Sequence, residues 1–160
     1  MSCAYHVLFI CTGNCCRSQM AEALLKHLGG KRFLAFSAGT DPAGYVHPLV
    51  LETMQRMEIP LRNQESKSWH EVDSDHFDIV ITVCDHAASQ ACPVFPGHPV
   101  TAHWGLPDPS FHPGSEEERI AFALEVTGTL RRWIERLVAL PIEELTDEQL
   151  AAALQRIPQS

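Results

Sequence analysis

The chain has no run of basic residues, no apolar stretch near the ~18 residues that span a bilayer, and no basic segment before a long apolar one at its N-terminus. With a formal charge of -8, it offers neither nucleic acid nor an anionic membrane a complementary surface, and a cytoplasmic location is expected. Neither a C-x2-C nor an H-x3-H pair with zinc spacing occurs, so Cys84, His86, Cys92, His98 and His103 are not read as a metal site, and none is expected. No internal repeat or low-complexity segment is present. Six cysteines in 160 residues would fit a disulfide framework in a small secreted chain. Without a signal peptide, and with enough apolar residues for a core, reduced and reactive thiols fit better.

The 160 residues, 45% hydrophobic, suffice for one domain with a sizeable core. Tyr5 to Ile10 is a short strand-forming run, and Met20, Ala21, Leu24, Leu25 and Leu28 recur at helical spacing. Arg32 to Ser37 reads as a second strand, His47-Pro48 opens a second helix, and Phe77 to Val83 is a dense apolar run expected of a central parallel strand. A weaker strand at Pro99 to Ala102 precedes a loop rich in Gly and Pro. Ser115 with Glu118 makes a capping box for a long helix, whose Ile120, Leu124, Thr127, Leu130, Ile134 and Leu137 face the core. The expected fold is α/β: a three-layer sandwich with a central four-stranded parallel sheet flanked by helices, residues 1–141 forming the domain. Residues 142–160 form a C-terminal helical extension expected to dock on it.

Between the first strand and first helix lies Cys11-Thr12-Gly13-Asn14-Cys15-Cys16-Arg17-Ser18. A loop of this length curls around a tetrahedral anion, its backbone N–H groups turned inward and the helix N-terminus adding partial positive charge. Thr12, Gly13, Asn14, Cys15, Cys16 and Arg17 are the oxyanion-binding residues in this reading. Gly13 permits the tight backbone and Arg17 supplies a bidentate fork. A thiol at the base of the loop sees the same field, which favours thiolate and a depressed pKa for Cys11. Ser18 is placed either to donate to that thiolate or to cap the helix. Cys15 and Cys16 are expected to pack on the outer side of the loop.

Two other places carry chemistry. Cys84, at the end of the central strand, and Cys92 are separated by seven residues, short enough for local unwinding to bring their sulfurs together; beside Cys11 they form a possible three-thiol relay. Asp108, in the proline-stiffened Leu106-Pro107-Asp108-Pro109 loop, reads equally as a proton donor over the anion site or as an ordinary turn residue.

Val7 to Ala23, Phe36-Ser37-Ala38-Gly39, Cys84 to Cys92 and His103-Trp104-Gly105 through Asp108-Pro109 together resemble the thioredoxin-coupled arsenate reductases of the low-molecular-weight tyrosine phosphatase superfamily. The resemblance implies that Cys11 attacks arsenate held by the loop and Arg17, with Asp108 protonating the leaving oxygen. Cys84 then attacks Cys11 and releases arsenite, Cys92 attacks Cys84, and thioredoxin reduces the Cys84/Cys92 pair. No bound cofactor is implied; phosphate and sulfate are implied competitors. Seven residues between the last two cysteines, where relatives have six, imply a different unwinding.

Asn14, Glu22 and Ser37 match a potassium site of some members, but Lys67 falls where an aspartate ligand would align, so an ammonium is expected to replace the ion. The alternative function is a phosphatase acting on phosphotyrosine through a Cys11 phosphocysteine; against it, Ser110-Phe111-His112 lacks the tyrosine pair that lines the aryl pocket in many phosphatases of this fold. A non-enzymatic oxyanion-binding or redox-sensing protein would bind without turnover.

Overall fold

The computed structural model describes residues 4–62, 64–72, 76–84 and 98–159. Four strands, β1 (Tyr5–Cys11), β2 (Phe33–Gly39), β3 (Ile79–Thr82) and β4 (Val100–His103), form one parallel sheet in the order β2-β1-β3-β4. Among the described residues four α-helices flank it: α1 (Arg17–Leu28), α2 (Pro48–Arg56), α3 (Glu116–Ala139) and α4 (Asp147–Arg156). This is the α/β sandwich expected from alternating strand and helix patterns.

Leu8, Phe9, Ile10, Ile79 and Ile81 are fully buried, as parallel strands covered on both faces must be. They pack with Met20, Leu24 and Leu25 of α1 and with Leu130 and Ile134 of α3. The Ser115 capping box forms as read, with Ser115 Oγ accepting from Glu118 N at 3.1 Å. On α3 the buried stripe is wider than expected: Val126 and Trp133 join it, and Trp133 packs edge-on to Trp104.

Strand order decides where a ligand sits. The chain runs from β1 outward to β2, then returns across β1 to β3 and on to β4, so connections diverge between β1 and β3. A crevice opens at the C-terminal ends of such a pair. Cys11 closes β1, and Cys84 follows β3 by two residues.

The C-terminal segment docks on the outer strand. Trp104 Nε1 donates to Leu154 O at 2.9 Å, and the Gln155 carboxamide both accepts from His103 N and donates to His103 O, each at 3.0 Å. One side chain thus pairs with both backbone groups of His103, as a residue of a neighbouring strand would.

Candidate active site

The 11–18 loop owes its shape to its carbonyls. Cys11 O accepts from Thr40 N, Thr12 O from Asp41 N, Gly13 O from Ala43 N, and Cys15 O from His47 N, at 2.8–3.1 Å. Asn14 O is taken by Gln19 Nε2 and Gly13 O also by Ser66 Oγ. Because C=O and N–H point oppositely across a peptide plane, carbonyls drawn outward turn the N–H groups inward. The N–H of Asn14 does reach Cys11 Sγ, at 3.2 Å.

Asn14 holds the turn at φ 47°, a left-handed conformation that asparagine tolerates. Its carboxamide accepts from Lys67 N at 2.9 Å and donates to Ser18 Oγ at 2.8 Å. Ser18 Oγ in turn lies 2.8 Å from Cys11 Sγ. The helix cap is Cys16, with no side-chain cap, so Ser18 serves the sulfur. Gly39 backs the loop: a Cβ there would stand 2.5 Å from Thr12 O and 2.9 Å from Asn14 Cβ.

Arg17 spans the loop and the Asp108 segment. Its Nη1 donates to Leu106 O at 2.9 Å and its Nη2 to Asp108 Oδ2 at 3.4 Å. Arg17 Nε is buried and donates to no acceptor among the described residues, an arrangement suited to an anion in the loop. Asp108 Oδ1 accepts from Ser110 N and Oγ at 2.9 and 2.6 Å, which holds the carboxylate at the rim. Cys11, Thr12, Gly13, Cys15, Cys16, Arg17 and Asp108 all line one cavity of about 440 Å³.

Tyr45 and His47 line that cavity too without having been read as site residues, and so does Phe111, which the sequence marked only by the missing tyrosine pair. Tyr45 is about half exposed and Phe111 more so. Aromatics are common in loops, so no local pattern marks them; only the packing of the 40–47 and 108–112 segments brings them to the mouth. Aromatic walls are therefore present without the tyrosine pair.

Cys84 is buried, its Sγ 3.3 Å from Oγ1 of Thr12, a residue of the anion loop. Cys92 lies outside the described residues, as does His86. Cys15 and Cys16 both line the cavity and both pack with the hydrophobic core, Cys16 buried and Cys15 half-buried.

Burial pushes the Cys11 thiol up, against the downward pull of Ser18, Arg17 and the Asn14 N–H. The depressed pKa expected from the loop alone is thus corrected: the sequence shows the donors but not that Cys11 is buried. Cys16, with burial, Asp108 and its neighbouring thiols against it, is pushed well up.

The ammonium expected beside Glu22 also comes from elsewhere. Lys67 Nζ donates to Glu65 O at 3.3 Å, whereas Lys26, one turn along α1, pairs with Glu22, whose other oxygen accepts from Ser37 Oγ. An i,i+4 pair on a helix is closer than a loop residue aligned by spacing. Among the described residues no group of three or more His, Cys, Asp or Glu is placed to hold a metal ion, and no helix is long and apolar enough to cross a membrane.

Comparison with known proteins agrees with this geometry. An arsenate reductase of Bacillus subtilis (strain 168) is 40% identical over 119 residues, 72% of this chain and 82% of that one. A solved thioredoxin-dependent arsenate reductase of Corynebacterium glutamicum superposes with a TM-score of 0.58 at 33% identity; the match covers 80% of this chain and 59% of that longer one. An arsenate reductase solved in a phosphate-binding state gives 0.65 at 31% identity, covering 84% and 97%. The family of low molecular weight phosphotyrosine protein phosphatases matches residues 6–150, and the chain belongs to that family.

Proposed function

We propose that this protein reduces arsenate to arsenite through a Cys11 adduct and a Cys11/Cys84/Cys92 thiol relay, with thioredoxin as the electron donor. The observation that carries the reading is the approach of Cys84 to the anion loop: its Sγ lies 3.3 Å from Oγ1 of Thr12, the residue that follows Cys11. Arsenate enters the loop, meeting the inward N–H groups and Arg17 Nε. Cys11 Sγ forms the S–As bond while its proton passes to an arsenate oxygen, and the oxygen that departs leaves as water with a proton from Asp108. Burial of Cys11 makes that transfer part of the step, because the thiol does not ionise readily beforehand.

Cys84 Sγ then attacks Cys11 Sγ, and its thiol proton passes to an oxygen of the departing arsenic. An S–S bond forms, the S–As electron pair stays with arsenic, and arsenic leaves in the trivalent state. Cys92 attacks Cys84 Sγ, which frees Cys11 and leaves a Cys84/Cys92 disulfide for the dithiol of thioredoxin. The test is arsenate-dependent NADPH oxidation with thioredoxin and its reductase, free of phosphate and sulfate, comparing wild type with Cys92→Ser. Turnover in wild type and none in the variant is expected. No turnover in either overturns thioredoxin coupling.

The aromatic pair Tyr45 and Phe111 at the mouth favours a second, weaker activity on aryl phosphates, which uses Cys11, Arg17 and Asp108 without the relay. Arsenate and phosphate share shape and charge, so a cradle of N–H donors separates them poorly.

A further inference from the structure

The relay leaves Cys15 without work. Among the described cysteines, Cys11, Cys16 and Cys84 are buried, whereas Cys15 is half-exposed and lines the same cavity as Cys11. A Cβ on Gly13 would stand 3.2 Å from Cys15 Sγ, so the missing side chain leaves space beside that sulfur. Two thiols of one short loop, one at its base and one on its wall, therefore face a common space. Cys16, buried and packed into the hydrophobic core, is a poorer partner than the half-exposed Cys15.

We propose that Cys11 and Cys15 form a dithiol site for trivalent arsenic, which captures arsenite in the reduced protein. Soft thiolate ligands select soft, thiophilic centres. Arsenous acid condenses with two thiols, As(OH)3 + 2 RSH giving (RS)2AsOH and two waters. Two S–As bonds form, two As–OH bonds break, the thiol protons leave in the water, and no electron is transferred. The second bond is intramolecular, so the pair binds far better than either thiol alone. Arsenite as the natural occupant rests on the reductase reading, whereas capture itself needs no turnover. The consequence is product inhibition: arsenite on Cys11 blocks the next arsenate.

The experiment uses the full chain carrying Cys84→Ser and Cys92→Ser, which removes the relay pair, reduced with a phosphine rather than a competing dithiol. Sodium arsenite is titrated in, followed by sulfur-to-arsenic absorbance in the ultraviolet and by intact mass. One arsenic per chain is expected. Adding Cys15→Ser or, separately, Cys11→Ser should weaken binding at least about tenfold, while Cys16→Ser and Cys3→Ser leave it within about twofold. Circular dichroism checks that each variant is folded, and Cys15→Ala repeats the test with a different side chain. Binding that survives both Cys15 substitutions, binding lost with Cys16→Ser or Cys3→Ser, or no binding in the starting protein overturns the proposal. None of these readouts depends on arsenate reduction, so failure here is separable from failure of the reductase reading.

Discussion

Ser18 Oγ stands 2.8 Å from Cys11 Sγ while accepting a hydrogen bond from Asn14 Nδ2 at the same distance. The Asn14 amide takes one lone pair of the hydroxyl and leaves its hydrogen available to a thiolate at Cys11. Asn14 therefore works through Ser18 as well as through its backbone N–H, and both converge on one atom.

Ser18→Ala removes a hydrogen bond to the developing thiolate. Such bonds are worth about 1.5–3 kcal/mol, so kcat is expected to fall by roughly one to two orders of magnitude. The rate of Cys11 alkylation should fall with it. Steady-state kinetics and iodoacetamide inactivation read both, and an unchanged alkylation rate would show that Ser18 does not act on the sulfur.

The pH dependence follows from burial of Cys11 and Cys16. Both thiols hold their protons more tightly folded than unfolded. Their contribution to stability is complete below the ordinary thiol range and is lost as pH rises toward the higher folded values. Urea unfolding without oxyanions should show lower stability at about pH 10 than at about pH 7, partly restored in Cys16→Val. Inactivation by iodoacetamide should rise on the alkaline side of an ordinary cysteine; a midpoint below neutrality would contradict the dominance of burial.

At Gly39 the added methyl of alanine meets backbone rather than a flexible side chain, Thr12 O at 2.5 Å and Asn14 N at 3.0 Å. Gly39→Ala should cost about 1–3 kcal/mol of stability through overpacking and should weaken phosphate binding by displacing the loop. Denaturant melts and calorimetric phosphate titration check the two effects together.

Lys26 neutralises Glu22, which is nearly buried under the loop. Turnover is accordingly expected to be the same in potassium and sodium salts at equal ionic strength. Lys26→Met leaves the carboxylate uncompensated and should cost about 1–3 kcal/mol, less than for a fully buried pair because the Lys26 side chain is 26% exposed. A rate that depends on potassium over sodium would refute the first expectation.

Gln155 supplies both bonds to the His103 edge of β4, just ahead of the strand's exit toward Asp108. Gln155→Ala should lose about 1–2 kcal/mol, and amide exchange at His103 should quicken more than in β1. Equal protection in variant and wild type would mean the helix is held by Trp104 and Leu154 alone.

Much of this was readable along the chain, and the reason is locality. A strand, a glycine loop and a helix start are encoded by neighbouring residues, so Cys11, Arg17 and the cradle follow from spacing, as does the Ser115 cap. Alternating strands and helices likewise imply the parallel sheet. What folding alone decided depends on distant segments and on exclusion of water. The pairing of β1 with β3 brings Thr12 to Cys84 across 72 positions, and packing of remote loops carries Tyr45, His47 and Phe111 to the mouth. Lys26 rather than Lys67 meets Glu22 because one helical turn sets that distance. The Cys11 thiol is pushed up because burial is a property of the whole core, which no stretch of sequence states.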